Sequence, residues 1–364
     1  MSHEITVVGA GAFGSWTAWH LRRSGAAVRL VEAWAPGHSR SSSGGETRII
    51  RMGYGADALY TRLALRSLVL WSELGRGLFQ RTGVLWMARE DDAYSTATAR
   101  TLASAGVPHE IVDRGALARR WPQMTLDDPR AFGILEPESG VLFARRAVAA
   151  VAGHAVRMGA RYETGAVSAD PLPAGPTVFA CGPWLPKLFP ELLGGRIFPT
   201  RQEVFFFAPP AGDPRFSPAA LPVWIDFTDP RGPYGFPDLE SRGFKLALDR
   251  HGPPADPDTL DRRPSAEGLA EARAFLAERF PALAAAPLAE TRVCQYENTS
   301  SGDFLIDRHP GREDVFLVGG GSGHGFKHAP AVGEIAARLV LEGSVPDLRF
   351  SLAAKAAVQN RAVW

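Results

Sequence analysis

The sequence predicts an α/β protein of two domains, one built on a parallel sheet and one, of α+β class, built on an antiparallel sheet. Three observations lead to this prediction. Residues 1–32 follow a strand–helix–strand pattern, residues from Pro199 onward contain short aromatic and β-branched runs at hairpin-like spacing, and a glycine-rich strand–loop–helix pattern begins near residue 315. Because glycine-rich strand–loop–helix patterns occur near both ends of the chain, the parallel-sheet domain is expected to be discontinuous.

The first strand–helix–strand unit has the spacing of a dinucleotide-binding motif. The apolar residues 5–8 are predicted as a buried parallel strand, and residues 9–14 read Gly-Ala-Gly-Ala-Phe-Gly. Gly9 permits a tight turn, Gly11 lets the backbone approach a pyrophosphate, and Gly14 lets the next helix lie close to the strand. A glycine-rich turn in an ordinary α/β unit is the alternative, and the complete unit argues against it.

The second predicted strand, residues 28–31, is followed by an acid, Glu32. Its carboxylate is placed to accept hydrogen bonds from a ribose hydroxyl pair and would repel a 2′-phosphate, so the ligand is FAD or NAD rather than NADP. These residues do not separate FAD from NAD. An NAD domain is more often continuous, so the discontinuous arrangement favours a Rossmann-like FAD-binding domain.

The remaining elements divide the chain into the two domains. The dinucleotide-binding domain is assigned to residues 1–82, 140–190 and 290–364, and the substrate domain to residues 83–139 and 191–289. Strands are predicted at 83–88, 133–137, 177–182, 204–207, 223–225, 243–248 and 315–318, a turn at 140–143, and helices at 63–74, 145–158, 266–280 and 330–341, the last beginning at Pro330 and ending at Gly343.

Composition excludes several classes of protein. The 364 residues contain 40 Lys+Arg against 39 Asp+Glu, which gives no electrostatic reason to expect a nucleic acid or an anionic membrane as partner. No apolar run approaches 18 residues and no signal peptide is evident, so a cytoplasmic enzyme is expected. The two cysteines, Cys181 and Cys294, do not support a disulfide framework, and no metal site is expected.

An arginine-containing segment follows the first unit. Residues 39–45 are mostly small and polar, which suits a loop against a ligand. Residues 46–51, Glu-Thr-Arg-Ile-Ile-Arg, then place Arg48 and Arg51 beside isoleucines. Arginines in such surroundings usually have a fixed anionic partner, either a carboxylate of the protein or one belonging to a ligand.

Four motifs in order resemble the FAD-dependent amine oxidases of the monomeric sarcosine oxidase and N-methyltryptophan oxidase type, within the D-amino-acid oxidase-like superfamily. The similarity runs over nearly the whole chain. The motifs are residues 46–51, Tyr234-Gly235-Phe236-Pro237 with Lys245 eleven positions after the tyrosine, Cys294-Gln295-Tyr296 with residues 303–307, and the Gly-His-Gly-Phe-Lys loop at 323–327.

The resemblance implies an oxidase of the C–N bond of a secondary amine, an N-alkyl or cyclic amino acid. Hydride would pass to flavin N5, oxygen would be reduced to hydrogen peroxide, and the imine would hydrolyse; the enzyme would be a monomer. Lys245 would activate oxygen, Arg51 and Lys327 would bind the substrate carboxylate, Tyr234 would line the pocket, and Cys294 would link FAD covalently. The residues implied to bind FAD are Gly9, Gly11, Gly14, Glu32, Ser43, Thr47, Arg48, Cys294, Gly321, Gly323, His324, Gly325, Phe326 and Lys327.

Residue chemistry leaves some alternatives open. Lys245 could instead be a solvated strand lysine, Tyr234 a packing residue and Cys294 a small buried side chain, although the context of Cys294 argues against the last of these. At the level of function, the alternatives are a flavin dehydrogenase that passes electrons to another protein, an NAD-dependent dehydrogenase, and a flavin-binding protein without catalysis.

The sequence departs from the family pattern in two places. Ser43 and Gly44 stand where the family usually has a pair of histidines, and Asp249 stands where it has a histidine four residues after the oxygen-activating lysine. An acid in place of a possible cation is expected to change which amine substituent is accepted.

Overall fold

The computed structural model describes residues 4–344 and 347–358; the parts of the assigned domains at 1–3, 345–346 and 359–364 lie outside the described residues. The strands are β1 (Ile5–Val8), β2 (Val28–Glu32), β3 (Arg48–Ile50), β4 (Phe79–Gln80), β5 (Val84–Arg89), β6 (Glu110–Val112), β7 (Ala131–Glu136), β8 (Gly140–Leu142), β9 (Arg161–Thr164), β10 (Thr177–Phe179), β11 (Ile197–Phe207), β12 (Val223–Asp226), β13 (Pro233–Phe236), β14 (Phe244–Leu248), β15 (Leu288–Thr299), β16 (Leu305–His309) and β17 (Arg312–Gly319). The α-helices are α1 (Ala12–Arg23), α2 (Ala58–Glu73), α3 (Ala93–Ser104), α4 (Arg114–Arg120), α5 (Ala144–Arg157), α6 (Leu185–Leu188), α7 (Pro190–Leu193), α8 (Ala266–Arg279) and α9 (Gly325–Glu342).

A six-stranded sheet with the order β16-β17-β10-β1-β2-β9 forms the dinucleotide-binding part of the fold. Its strands are parallel except for β16 at one edge. The predicted parallel pair β1 and β2 is confirmed, and β10 returns to pair with β1 as the other neighbour. Because its strands come from well-separated parts of the chain, this sheet is discontinuous as predicted.

Three helices pack on this sheet through one apolar core. The core includes Trp16 of α1, Val148 and Val151 of α5, and Val332 of α9, all of which are fully buried. Burying each such side chain contributes roughly 1.5–3 kcal/mol to folding. Gly333 allows α9 to cross α1 closely, because a Cβ there would lie 2.6 Å from the Trp16 carbonyl carbon. This packing holds α1 and α9 directly against each other.

An eight-stranded sheet with the order β15-β11-β14-β13-β12-β5-β7-β6 forms the second part. Its pairs are antiparallel, as predicted, except for the parallel pair β12 and β5. Helix α8 covers one face through a cluster that includes Trp224, Phe244, Phe275 and Phe280. The aromatic runs seen in the sequence are therefore core residues of this sheet.

Two local assignments from the sequence were wrong. Residues 140–142 form a strand, β8, rather than a turn, and pair with β3 and β4 in a small sheet. Residues 290–299 hydrogen-bond in the eight-stranded sheet, where β15 pairs along β11, rather than in the parallel sheet to whose domain they were assigned. Both strands depend on partners far away in the chain, so local patterns do not reveal them.

Two helices begin earlier than predicted. Helix α2 starts at Ala58, where the Asp57 side chain accepts the Leu59 N–H. Helix α9 starts at Gly325, so Pro330 lies inside it rather than at its start. Because proline has no N–H, the hydrogen bond from Pro330 to the preceding turn of the helix is absent. The predicted end is confirmed, since Gly343 closes α9 with a φ of 66°. Within the described residues, no helix combines the length and apolar character needed to cross a bilayer.

Candidate active site

A cavity of about 460 Å³ opens at the carboxyl ends of β1, β2 and β10. Ligands of open α/β sheets bind at this edge. Of the residues predicted to bind a dinucleotide, those that line this cavity are Gly9, Gly11, Glu32, Ser43, Arg48, Gly321, Gly323, Gly325 and Phe326.

The glycines of the first turn differ in what they face. Gly9 has a φ of 98°, and a Cβ on it would lie 2.5 Å from the Ala180 carbonyl oxygen. Gly14 does not line the cavity; a Cβ there would lie 1.8 Å from the Gly9 oxygen, so it packs α1 against the turn. Gly11 faces the cavity, where a Cβ would meet only the Ser43 Oγ at 3.5 Å. The turn therefore leaves bare backbone beside the cavity.

Glu32 is held rigidly at the end of β2. Its Oε2 accepts the Ala10 N–H at 2.7 Å and its Oε1 accepts the Trp34 N–H at 3.2 Å. Each carboxylate oxygen retains a lone pair, so the group remains able to accept hydrogen bonds from sugar hydroxyls. Ser43 is buried across the cavity and its Oγ accepts the Ala12 N–H, the first of α1, at 3.0 Å.

A second, smaller cavity of about 110 Å³ adjoins the first. The two share Arg48, Tyr296, Ser322, Gly323 and Phe326 in their walls. The predicted residues that line the second cavity are Thr47, Arg48, Arg51, Tyr234, Lys245, Cys294, Gly323, His324, Phe326 and Lys327. The fold thus brings together all four catalytic candidates and the candidate linkage cysteine beside the larger cavity.

Arg51 and Lys327 are both buried and converge on one aromatic ring. The Arg51 Cζ lies 4.7 Å from the ring centroid of Tyr54 and 4.6 Å from that of Trp86, and the Lys327 Nζ lies 5.2 Å from the Tyr54 centroid. Lys327 also donates to the His324 carbonyl at 3.1 Å. Burial opposes the charge of Arg51, yet the nearby tyrosines and carboxylates, Glu136 among them, raise its pKa above the ordinary value. Two cations in the wall of one small cavity can together bind an anionic ligand.

Lys245 is a buried lysine, so the alternative of a solvated strand lysine is wrong. It is 4% exposed, and its Nζ donates to both the carbonyl and the hydroxyl of Thr47 at 3.1 Å. The Nζ also lies 4.3 Å from the ring centroid of Phe236. Burial, together with the charge of Arg48, lowers the pKa of Lys245 well below its ordinary value.

Cys294 lies on β15, opposite Gln202 of β11, in the wall of the second cavity. The thiol is half-buried and faces Arg48, whose Nη2 donates to the sulfur at 3.6 Å. Arg48 is anchored in turn by donating to the Ser42 carbonyl at 2.7 Å and the Thr47 carbonyl at 2.8 Å. The loop before β3 therefore holds the guanidinium beside the thiol.

The side chains of the last glycine-rich segment have different surroundings. His324 lies between the Tyr54 hydroxyl, 3.2 Å from Nδ1, and the Gly302 carbonyl, 2.9 Å from Nε2, which fixes the loop that it belongs to. The Phe326 ring stacks on Trp71 at a centroid distance of 5.5 Å. The backbone of this segment, rather than the imidazole, is thus the part held toward the first cavity.

A tyrosine and an acid complete the wall of the second cavity. The Tyr296 hydroxyl donates to the Asp249 Oδ1 at 2.7 Å, and Tyr234 lies in the same wall. Burial raises the pKa of both tyrosines, and the Asp249 carboxylate adds to this effect. Sequence reasoning gave Tyr296 no role, although its place within the Cys294 motif was a signal for one.

The chemistry of the first cavity fits FAD. Three buried oxygens in its wall have no hydrogen-bond partner among the described residues, namely Ser42 Oγ, Gln295 Oε1 and Glu297 Oε2. Buried polar atoms without partners are rare in proteins, so a ligand with hydrogen-bond donors is expected to meet them. The sequence predicted that the loop containing Ser42 lies against a ligand, but it assigned no individual binding role to Ser42, Gln295 or Glu297. It also gave no role to three further residues of the same wall, Trp34, Cys181 and Trp184.

Comparisons with known proteins agree with this geometry. Residues 4–339 match the family model described as FAD dependent oxidoreductase. The monomeric sarcosine oxidase of Bacillus sp. (strain B-0618) is 34% identical, over 93% of this chain and 92% of that protein. The N-methyl-L-tryptophan oxidase of Salmonella arizonae is 31% identical, over 94% and 95%.

Solved structures show the same fold. L-proline dehydrogenase from P. horikoshii superposes with a TM-score of 0.83 at 22% identity, over 96% of this chain and 97% of that one. The fructosamine oxidase of Aspergillus fumigatus gives a TM-score of 0.81 at 22% identity, over 96% and 89%. The predicted α/β fold and the predicted resemblance are confirmed, and the chain belongs to the family of FAD-dependent oxidoreductases.

Proposed function

We propose that the enzyme is an oxidase of the C–N bond of a secondary amine that carries a carboxylate, either an N-alkyl or a cyclic amino acid. The observation that carries this proposal is the convergence of the buried cations Arg51 and Lys327 on Tyr54, in a small cavity that adjoins the dinucleotide cavity. The names of the relatives, sarcosine oxidase and N-methyl-L-tryptophan oxidase, support the same substrate class.

The side chains divide the work between binding and charge stabilisation. Bound FAD would supply the hydride acceptor, while Arg51 and Lys327 bind and orient the substrate carboxylate. The apolar and aromatic side chains in the wall, such as Phe206, Ile225 and Phe227, would limit the access of water, and Tyr234 would limit the space for the amine substituent. Lys245 holds a positive charge ready where oxygen acquires negative charge.

The Asp249 carboxylate shapes the choice of substrate. It faces the second cavity and accepts the Tyr296 hydroxyl, at the position where the resembling family has a histidine. A negative charge there repels a second carboxylate on the amine substituent. We therefore propose a neutral or cationic substituent on the substrate.

The proposed working unit is a monomer with two domains divided as in the sequence analysis, apart from the strand β15. Relatives that are named monomeric sarcosine oxidase support this state. A cytoplasmic location stays a prediction from the sequence.

Covalent attachment of FAD through Cys294 gives a direct test. We expect the yellow colour to remain in the pellet when the enzyme is precipitated with acid, because a thioether survives unfolding. Cys294→Ala should release flavin to the supernatant, while the control Cys181→Ala, at the other cysteine of the chain, should retain it. Flavin found entirely in the supernatant of the wild-type enzyme would exclude covalent linkage, although not tight binding.

The proposed function is tested by incubating the flavin-loaded enzyme in air with a panel of amines. The panel contains N-methyl amino acids, cyclic amino acids, primary amino acids and secondary amines without a carboxylate. We expect hydrogen peroxide in amounts equal to the amine consumed, with the first two groups preferred. Turnover that needs an artificial electron acceptor would instead indicate a dehydrogenase, and absence of anaerobic flavin bleaching with every amine would indicate a flavin-binding protein without this activity.

A further inference from the structure

Two neighbouring side chains of β15 face the dinucleotide cavity and have no role in the proposed reaction. Gln295 and Glu297 are buried, at 1% and 8% exposure, and both line that cavity. Alternate residues of a strand point to the same face, so the two side chains lie next to each other along the wall. Cys294, the residue before Gln295, alternates with this pair along the strand and lines the second cavity instead.

The hydrogen bonds of Gln295 and Glu297 leave one acceptor on each side chain unused. The Gln295 Nε2 donates to the Arg40 carbonyl at 2.8 Å; because a carbonyl only accepts, this contact fixes the amide so that Oε1 is the remaining atom. The Glu297 Oε1 accepts the Gly321 N–H at 3.3 Å. No donor among the described residues reaches Gln295 Oε1 or Glu297 Oε2, and both atoms are buried.

The unused atoms select the chemistry of the ligand group that meets them. A pyrophosphate offers only acceptor oxygens, so it would be repelled by the acceptor oxygens of Gln295 and Glu297. A hydroxyl both donates and accepts, so it can donate a hydrogen bond to either of these oxygens. Burial raises the pKa of Glu297 to about 7, while the N–H groups of Gly321 and Gly320 oppose this shift. A hydroxyl can bind either form of this carboxyl, by donating to the carboxylate or by accepting from the acid.

The position of the pair separates the two hydroxyl-bearing parts of FAD. Glu32, the residue placed to bind the adenosine ribose, lines only the first cavity, while Gln295 and Glu297 flank Tyr296, which lines both cavities. We propose that Gln295 and Glu297 bind the hydroxyl groups of the ribityl chain of FAD. The proposal rests on the proposed function in one respect, which is that Cys294, and with it this wall, lies at the flavin end of the bound FAD.

The test measures FAD affinity without any amine, so its outcome is independent of the proposed reaction. Replacing Cys294 by alanine makes binding reversible, and flavin fluorescence then reports the dissociation constant. In this parent, Glu297→Met and Gln295→Met keep the buried volume but remove the acceptors, and each should weaken FAD binding by about 5- to 50-fold. Glu297→Gln should retain most of the affinity. Glu290→Met, an acid on the same strand outside both cavities, should leave it unchanged.

FAD analogues that lack single hydroxyls identify the group that is bound. FAD that lacks one ribityl hydroxyl should bind the parent more weakly than FAD itself does. Each methionine variant lacks the acceptor for one hydroxyl, so it should bind the analogue without that hydroxyl about as tightly as the parent binds the same analogue. FAD that lacks the 2′-hydroxyl of the adenosine ribose keeps every ribityl hydroxyl. The methionine substitutions should therefore weaken its binding as much as they weaken the binding of FAD. The proposal is overturned if the folded methionine variants bind FAD like the parent, or if all ribityl-deoxy analogues bind the parent as tightly as FAD. The analogue comparison also decides the question if the methionine variants do not fold.

Discussion

Replacing Lys245 by methionine should slow the reaction of the reduced enzyme with oxygen by about two to three decades, while reduction by substrate changes only a few-fold. The reason is that the Lys245 amino group is already in place, held by the carbonyl and the hydroxyl of Thr47 in a buried site next to Phe236, and it supplies a positive charge when protonated. A charge oriented before the reaction stabilises a developing anion without reorganisation, and methionine offers similar volume without the charge.

Stopped-flow absorbance separates the two half-reactions. Anaerobic mixing with substrate gives the rate of flavin reduction, and mixing the reduced enzyme with oxygen gives the rate of reoxidation. Lys355→Met is the matched control, since Lys355 is also buried but lines neither cavity. Equal slowing of both half-reactions by Lys245→Met would show that the lysine positions the flavin or the substrate rather than acting on oxygen.

The same lysine predicts a dependence on pH. Burial and the neighbouring Arg48 lower the pKa of Lys245, so the ammonium is present below that lowered pKa and is lost as the pH rises through it. The oxygen reaction of the wild-type enzyme should therefore slow as the pH increases. Reoxidation rates of Lys245→Met measured over the same range should lack this decrease.

The parts of the fold that were predictable are those whose signals lie in adjacent residues. The turn at Gly9, the helix that follows it and the acid at Glu32 form one local unit, in which Gly14 packs against the Gly9 carbonyl and Glu32 accepts the Ala10 N–H. The end of α9 at Gly343 was predictable for the same reason, because a left-handed residue after a helix is a local requirement.

The parts that were not predictable depend on residues far apart in the chain. Cys294 pairs with Gln202 across two strands, and only this pairing shows that the cysteine belongs to the eight-stranded sheet. The ring of Tyr54, on which Arg51 and Lys327 converge, belongs to none of the recognised motifs. Likewise, the unused oxygen of Glu297 becomes evident only when its neighbours in three dimensions are known.

Replacing Arg51 or Lys327 by alanine should weaken the binding of a carboxylate-bearing substrate by about 2–5 kcal/mol, or about 30- to 5,000-fold. Each cation lies buried beside Tyr54, so the substrate carboxylate would pair with the two cations away from water. Removing one cation would leave the buried carboxylate without part of its counter-charge, which is costly. The flavin spectrum should stay near normal. Arg66→Ala, which removes a surface arginine paired with Glu334, is the control and should bind substrate normally.

Comparing each acid substrate with its uncharged amide isolates the carboxylate contribution. Wild-type enzyme should discriminate strongly in favour of the acid, as measured by kcat/KM and by the substrate concentration at half-maximal anaerobic flavin reduction. Arg51→Ala and Lys327→Ala should lose most of this discrimination. The uncharged amide forms no ion pair with either cation, so its binding should be weakened far less than that of the acid. If wild-type enzyme oxidises amides as well as acids, the two cations do not bind the substrate carboxylate. The anion they favour would then belong to another part of the substrate, and the substrate would be a different kind of amine.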